Sequence, residues 1–112
     1  MRNATEQEIQ KTIIDYLRLK HYVVFKHHST GSTIRDSKPV FFKYGDRGIA
    51  DIIACSTKGT FVAVEVKKKG GKPSPEQLDF LERVNRAGGL GILAYDLETV
   101  VTKVEELARR DV

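Results

Sequence analysis

Two strand-like runs joined by a short polar turn constrain the fold more than any other feature of this sequence. "IADIIAC" (49–55) and "TFVAVEVK" (60–67) are rich in β-branched residues, and "STKG" (56–59) between them has the composition of a tight turn. This spacing predicts an antiparallel β-hairpin. The hairpin in turn determines which residues of the two runs lie side by side.

The chain before the hairpin predicts one helix and two more strands. Apolar side chains recur at helical spacing over residues 4–19, where Asn3 or Thr5 can serve as the N-cap. The composition that follows predicts a strand over 21–26, a polar loop over 27–39 and a short strand over 40–44.

The chain after the hairpin predicts a helix, a strand and a closing helix. Ser74 has the character of an N-cap and Pro75 that of a first helical residue, while Gly88 and Gly89 end the helix. The predicted apolar stripe of this helix consists of Leu78, Leu81 and Val84. A strand over 90–95 and an amphipathic helix over 97–110 follow. This order predicts one α/β domain spanning residues 1–112, with helices packed on a small sheet.

The composition is that of an ordinary globular domain. Of the 112 residues, 40% are hydrophobic and 30% charged. No apolar run approaches the length of a membrane span, and the N-terminus lacks the apolar block of a signal peptide. The single cysteine, Cys55, fits a reducing cytosol and is expected to be a small buried residue. Nineteen basic against fifteen acidic residues give a net charge of +4, which favours a polyanionic partner.

The second strand of the hairpin carries a charged pair. Because side chains alternate along a strand, Glu65 and Lys67 share one face, about 7 Å apart at the backbone, and the valines share the other. Burying such a pair is costly unless it has partners. One interpretation is a salt bridge on an exposed strand; the other is a site that uses both charges.

The first strand of the hairpin adds a second carboxylate. Asp51 falls opposite residue 64 or 65, depending on the register of the turn, so that Asp51 and Glu65 can converge beside Lys67. Two adjacent carboxylates repel unless a divalent cation neutralises them, and oxygen ligands suit Mg²⁺ or Mn²⁺ better than zinc. A lysine beside that cation can help orient or deprotonate a water for attack on a phosphodiester.

The first helix offers a third acid. At 100° per residue, Glu6 points into the same sector as the apolar residues of that helix, whereas Glu8 points toward solvent. Glu6 is therefore a candidate outer-shell metal ligand. Its position near a helix N-terminus, which favours acidic residues in any protein, is the alternative explanation.

These residues carry a resemblance to a known family. Asp51 followed by Glu65-Val66-Lys67 is similar to the signature of the PD-(D/E)xK nuclease superfamily. The stretches "EQEIQKTIIDYL", "GIADIIA" and "EVKKKGGKPSPEQLDFL" resemble the virus-type replication-repair nuclease (VRR-NUC) domain, from Glu6 to about Gly89. The family usually has a proline before the metal-binding aspartate, and here Ala50 takes that place.

The resemblance implies a fold and a set of site residues. It implies a restriction-endonuclease-like αβββαβ core, with a mixed sheet flanked by helices. Asp51 and Glu65 would bind Mg²⁺ or Mn²⁺ with help from the Val66 carbonyl, and Lys67 would serve the attacking water. Glu6 and Gln77 would be accessory residues of the same site.

The resemblance also implies hydrolysis of DNA, with branched DNA such as Holliday junctions as substrate. Symmetric cutting of two strands favours a homodimer, and the size resembles stand-alone members from bacterial cells and phage-infected hosts, hence a cytoplasmic protein. Phosphate contacts, which carry no base sequence, are expected from basic residues on both sides of the hairpin: Lys26, His27, His28, Arg35, Lys38, Arg47, Lys68, Lys69 and Lys72.

Three other functions remain open from the sequence. The first is a sequence-specific restriction-type endonuclease with the same catalytic residues. The second is a non-catalytic basic DNA-binding module whose acids are paired with lysines. The third is a nuclease subunit that acts only with a helicase partner.

Overall fold

The structure, a computed structural model, describes residues 2–27, 34–35, 38–39 and 48–112, with the backbone alone for the two short middle segments. No helix in these ranges is long and apolar enough to cross a membrane. The elements are α1 (Glu6–Leu19), β1 (Val23–Lys26), β2 (Ile34–Arg35), β3 (Lys38–Pro39), β4 (Ile52–Cys55), β5 (Phe61–Val66), α2 (Pro75–Arg86), β6 (Leu90–Ala94) and α3 (Leu97–Arg110).

Four strands form the main sheet in the order β1-β4-β5-β6. β4 and β5 are the predicted antiparallel hairpin, with Ile52 opposite Val64, and β1 lies antiparallel on the other side of β4. β6 joins β5 in parallel after the α2 crossover. This mixed sheet with helices on its faces confirms the predicted α/β class and the αβββαβ core.

A second, two-stranded sheet lies in the segment that the sequence predicts to be a loop. β2 and β3 pair antiparallel, with Ile34 opposite Pro39. The prediction was wrong there because two-residue strands in a polar, glycine-containing segment lack a hydrophobic period. The predicted strand over 40–44 lies outside the described residues.

The sheet has a packed core on each face. Below α1 and α3 lie Val62, Val64 and Val66 of β5, together with Ile52 and Ala54 of β4. Below α2 lie Ala63 and Ile53, against residues such as Leu81 of the helix. The alternation predicted for β5 is therefore confirmed, with the valines on one face and Ala63 on the other.

The helix starts follow local side-chain chemistry. Thr5, one of the two predicted N-caps, accepts from the Glu8 N–H, and the Glu8 carboxylate accepts in return from the Thr5 N–H. Ser74 and Gln77 form the same reciprocal box at the start of α2, and Pro75 is its first residue, as predicted. These boxes satisfy N–H groups that have no partner within the helix.

Two predictions about burial were wrong. Leu78 is 47% exposed, because α2 meets the sheet along Leu81 and Val84 and Leu78 lies at the flank of that stripe. Cys55 is exposed as well. It lies at the end of β4 on the α2 side of the sheet, and α2 packs on β5 and β6 instead.

Candidate active site

Two acidic side chains meet where β4 begins and β5 ends. Ile52 lies opposite Val64, so one further step along the ladder brings Asp51 opposite Glu65. The sequence left residue 64 or 65 open, and the structure gives 65. Both residues share the sheet face of Ala63, on the α2 side, and both are buried, with 8% of Asp51 and 1% of Glu65 exposed.

Asp51 is fixed by the backbone of β5. Its Oδ2 accepts a hydrogen bond from the Val66 N–H at 3.0 Å, where a backbone carbonyl would stand if the ladder continued. In an extended residue the N–H and C=O groups point to the same side of the strand. The Val66 carbonyl therefore points toward Asp51 as well, which brings a third oxygen to this end of the hairpin.

One oxygen of Glu65 faces both a hydrogen-bond donor and a cation. Its Oε2 accepts from Gln77 Nε2 at 3.1 Å and lies 3.6 Å from Lys67 Nζ. Gln77 is oriented by the helix cap, because its Oε1 already accepts the Ser74 N–H at 2.8 Å and leaves Nε2 free to face Glu65. The other oxygen, Oε1 of Glu65, is buried and has no hydrogen-bond partner.

This environment makes the charge on Glu65 costly. Burial, and after it the nearby Asp51 carboxylate, raise the pKa of Glu65 to about 8, and Lys67 opposes them only in part. Two buried carboxylates this close cannot both ionise freely. The pair is therefore set up either to share a proton or to receive a cation.

The oxygen donors at this site fit a hard divalent cation. The unpartnered Glu65 Oε1, the Asp51 carboxylate and the Val66 carbonyl are the ligand types that Mg²⁺ and Mn²⁺ prefer. In residues 2–27 and 48–112, no group of three or more His, Cys, Asp or Glu side chains is arranged to hold a metal. Protein ligation by described side chains would thus come from the two acids, which leaves room for waters or phosphate oxygens.

Glu6 lies near the site without joining the acid pair. Its Oε2 accepts from the Lys68 N–H at 3.4 Å, directly after Lys67, so α1 contacts the end of β5. The helical wheel correctly indicated that Glu6 points inward. Its role as an outer-shell ligand stays a prediction.

A close backbone contact holds the two halves of the site together. Gly48, three residues before Asp51, has φ +79°. A Cβ there would lie 2.4 Å from the carbonyl oxygen of Glu76, the residue before Gln77. Glycine is therefore required both for its conformation and for its size. The segment that carries Asp51 packs directly on the start of the helix that carries Gln77.

The predicted phosphate-binding residues separate into three groups. Lys68, Lys69 and Lys72 are exposed in the loop that follows β5, beside the site. Lys26 is exposed on the face of the sheet opposite to the acids, while His27 lies on the same face as they do. Arg35 and Lys38 belong to β2 and β3, where only the backbone is described, and His28 and Arg47 lie outside the described residues.

Comparison with known proteins gives matches in structure only. No protein-family model and no curated protein matches the sequence. A solved structure described as "VRR_NUC domain" superposes with a TM-score of 0.65 at 24% identity, over 91% of this chain and 97% of that one. A second, described as "VRR_NUC domain protein", gives a TM-score of 0.56 at 15% identity, over 93% of this chain and 88% of that one. The resemblance is thus confirmed at the level of the fold: this chain has the fold of a VRR_NUC domain.

Proposed function

We propose that this protein is a metal-dependent endonuclease that hydrolyses DNA phosphodiester bonds. The observation that carries the proposal is the pair Asp51 and Glu65, buried together beside Lys67, with the pKa of Glu65 raised to about 8 and one of its oxygens unpartnered. Burying two carboxyl groups side by side is unfavourable, and pairs of this kind are typical of functional sites.

The residues have separate tasks in this reaction. Asp51, Glu65 and the Val66 carbonyl would hold Mg²⁺ or Mn²⁺. When bound, the cation polarises the phosphate and lowers the pKa of an attacking water. Lys67 orients that water, and Gln77 keeps the Glu65 carboxylate turned toward the site through the 3.1 Å bond. Glu6 would serve as an outer-shell residue through the backbone of Lys68.

The substrate we propose is branched DNA, including four-way junctions. The exposed Lys68, Lys69 and Lys72 contact backbone phosphates, and such contacts select shape and charge but not base sequence. Cutting both strands of a junction requires two active sites, so the proposed active form is a homodimer.

A cleavage panel tests this function. Four-way junction, flap, fork, duplex and single-stranded DNA are incubated with Mg²⁺, Mn²⁺ or EDTA. We expect cleavage that requires the cation and is strongest on branched substrates. Cleavage at one defined duplex sequence would instead identify a restriction-type enzyme, and binding without cleavage under all conditions would identify a DNA-binding module.

Two matched variants assign any activity to the site. Asp51→Asn keeps an oxygen that can accept the Val66 N–H but removes the charge, and we expect cleavage to fall at least about 1,000-fold. Asp79→Asn removes an exposed acid of α2 that pairs with Arg83, and we expect full activity. Equal activity in both variants would show that the cleavage comes from elsewhere.

A further inference from the structure

A histidine extends the acid pair into a row across three strands. Lys26 lies opposite Ile52 at the end of β1, and the ladder continues one residue further, because the His27 N–H donates to the Asp51 carbonyl oxygen at 2.7 Å. His27, directly after β1, and Asp51, directly before β4, therefore lie side by side with Glu65 of β5. Side-chain alternation directs all three to the α2 side of the sheet.

The ring of His27 makes no hydrogen bond to the residues that the structure describes. Its Nδ1 is buried and unpaired, although the side chain as a whole is half-buried. A buried donor without an acceptor is unfavourable, so Nε2 is the ring nitrogen better placed to donate an N–H to a ligand. Nε2 belongs to the outer edge of the ring, the part that reaches farthest from the backbone. Among the described residues no acceptor bonds to this edge, so a ligand that offers an oxygen acceptor can use it.

His27 lies apart from the cation that the two acids would share. Neighbouring strands are about 4.8 Å apart, so His27 and Glu65 are separated by about 10 Å at the backbone. No metal-holding group of three such side chains occurs in the described parts of the chain that contain this row. The ring lies instead on the far side of Asp51 from Lys67.

The position of His27 relative to Lys67 indicates which side of the scissile phosphate it would face. In an in-line displacement at phosphorus, the leaving oxygen departs opposite to the attacking water. With Lys67 serving the water, the flank occupied by His27 is the leaving-group side. A DNA strand that ran out past Asp51 on this flank would present its next phosphate to the ring.

We propose that His27 is a substrate-binding residue of the active site, whose Nε2–H donates to a non-bridging oxygen of the phosphate adjacent to the scissile one, on the leaving-group side. The inference rests on the proposed nuclease function and makes it more specific. It separates His27 from Lys26, its neighbour in sequence, which projects from the opposite face.

A methylphosphonate scan tests the contact directly. Single neutral methylphosphonates replace each phosphate around the cut site, and binding is measured with Ca²⁺ in place of Mg²⁺. We expect His27→Ala to weaken binding about tenfold, as loss of one hydrogen bond to a charged phosphate does. The methylphosphonate on the leaving-group side should weaken wild-type binding by a similar factor and should not weaken His27→Ala further.

Controls separate this role from a structural one. His27→Gln keeps an N–H donor and should recover part of the binding, while Lys26→Ala should change the methylphosphonate pattern at no position near the cut. The melting temperature of His27→Ala, and its rise on addition of Mn²⁺, should match wild type. Loss of the Mn²⁺ shift would make His27 a metal ligand, and a methylphosphonate pattern identical to wild type at every position would remove it from the substrate contacts; either result overturns the proposal.

The outcome also distinguishes the two proposals from each other. A wild-type protein that cuts DNA while His27→Ala retains the full wild-type pattern contradicts only the role of His27. A wild-type protein that neither binds nor cuts any DNA of the panel contradicts the nuclease function, and the role of His27 with it.

Discussion

The two faces of the main sheet are built from the same strands but have different roles. Of the described residues, thirteen buried apolar side chains form the core below α1 and α3, and five form the core below α2. The smaller core contains two alanines and ends at the buried pair Asp51 and Glu65. Alternation along β5 thus lets one strand contribute valines to the stabilising face and a carboxylate to the reactive one.

The α1–α3 face contributes most of the buried apolar side chains that stabilise this small domain. Fully buried side chains such as Ile13, Leu17 and Val64 belong to the α1–α3 face. The α2 face gives up apolar contact to hold charges whose burial is unfavourable. Substitutions on the α2 face should therefore change DNA cleavage, and substitutions on the α1–α3 face should change the free energy of unfolding.

The largest effect is expected from Lys67→Met on the α2 face. Methionine matches the length of the lysine stem, so packing of this half-buried side chain survives while the amine 3.6 Å from Glu65 is lost. Cleavage should fall about 1,000-fold, roughly 4 kcal/mol in the barrier, while junction binding measured with Ca²⁺ changes little. Lys103→Met, at an exposed lysine of α3 that pairs with Glu106, should retain cleavage. A lower melting temperature with weak binding in Lys67→Met would instead assign this lysine to the stability of the fold.

The next effect tests the opposite face. Leu17→Ala removes a fully buried side chain of the larger core, and we expect unfolding to become easier by about 3 kcal/mol in a urea titration. Leu78→Ala makes the same deletion at a residue that is 47% exposed, and should cost less than about 1 kcal/mol. At a temperature where both variants are folded, both should cut DNA at the wild-type rate. A large loss of cleavage in folded Leu17→Ala would break the division between the two faces.

Most of the fold could be predicted from the sequence because local signals agree with it. The Thr5 and Ser74 caps, the turn at 56–59 and the alternation of β5 each depend on residues close in the chain. The predicted burial of Leu78 and Cys55 was wrong because helix spacing and strand composition do not reveal how far α2 extends over the sheet.

The candidate site was predictable in its members but not in its contacts. The predicted hairpin paired Asp51 with residue 64 or 65, and the structure pairs it with Glu65. The family resemblance indicated Gln77 as a further site residue. What the sequence could not provide is the register that pairs Asp51 with Glu65, the hydrogen bond from Gln77, or the alignment of His27 with Asp51. These contacts depend on the order of strands in the sheet, where β1 pairs with a strand that follows it by more than twenty residues.

The titration of Glu65 shows how much stability the α2 face loses because this carboxyl group is buried. Its pKa is about 8 in the folded protein against about 4.5 when unfolded. Between these values the folded protein binds more protons, so the stability of metal-free wild type should fall as the pH rises from 5 to 8. Glu65→Gln cannot ionise and should lack this component, with a stability within about 1 kcal/mol of wild type near pH 5 and greater by about 4 kcal/mol at pH 8.

The measurement is urea unfolding in EDTA at each pH, taken as the difference between the two proteins so that all other titrating groups cancel. The acids with lowered pKa values, Glu8, Asp96 and Asp111, change charge below this window. Adding Mg²⁺ at pH 8 should then stabilise wild type and leave Glu65→Gln nearly unchanged, because the cation replaces the proton between two carboxylates. A stability difference between the two proteins that stays constant from pH 5 to pH 8 would mean that Glu65 ionises normally. The two acids would then be an ordinary pair of charged residues on the α2 face of the sheet.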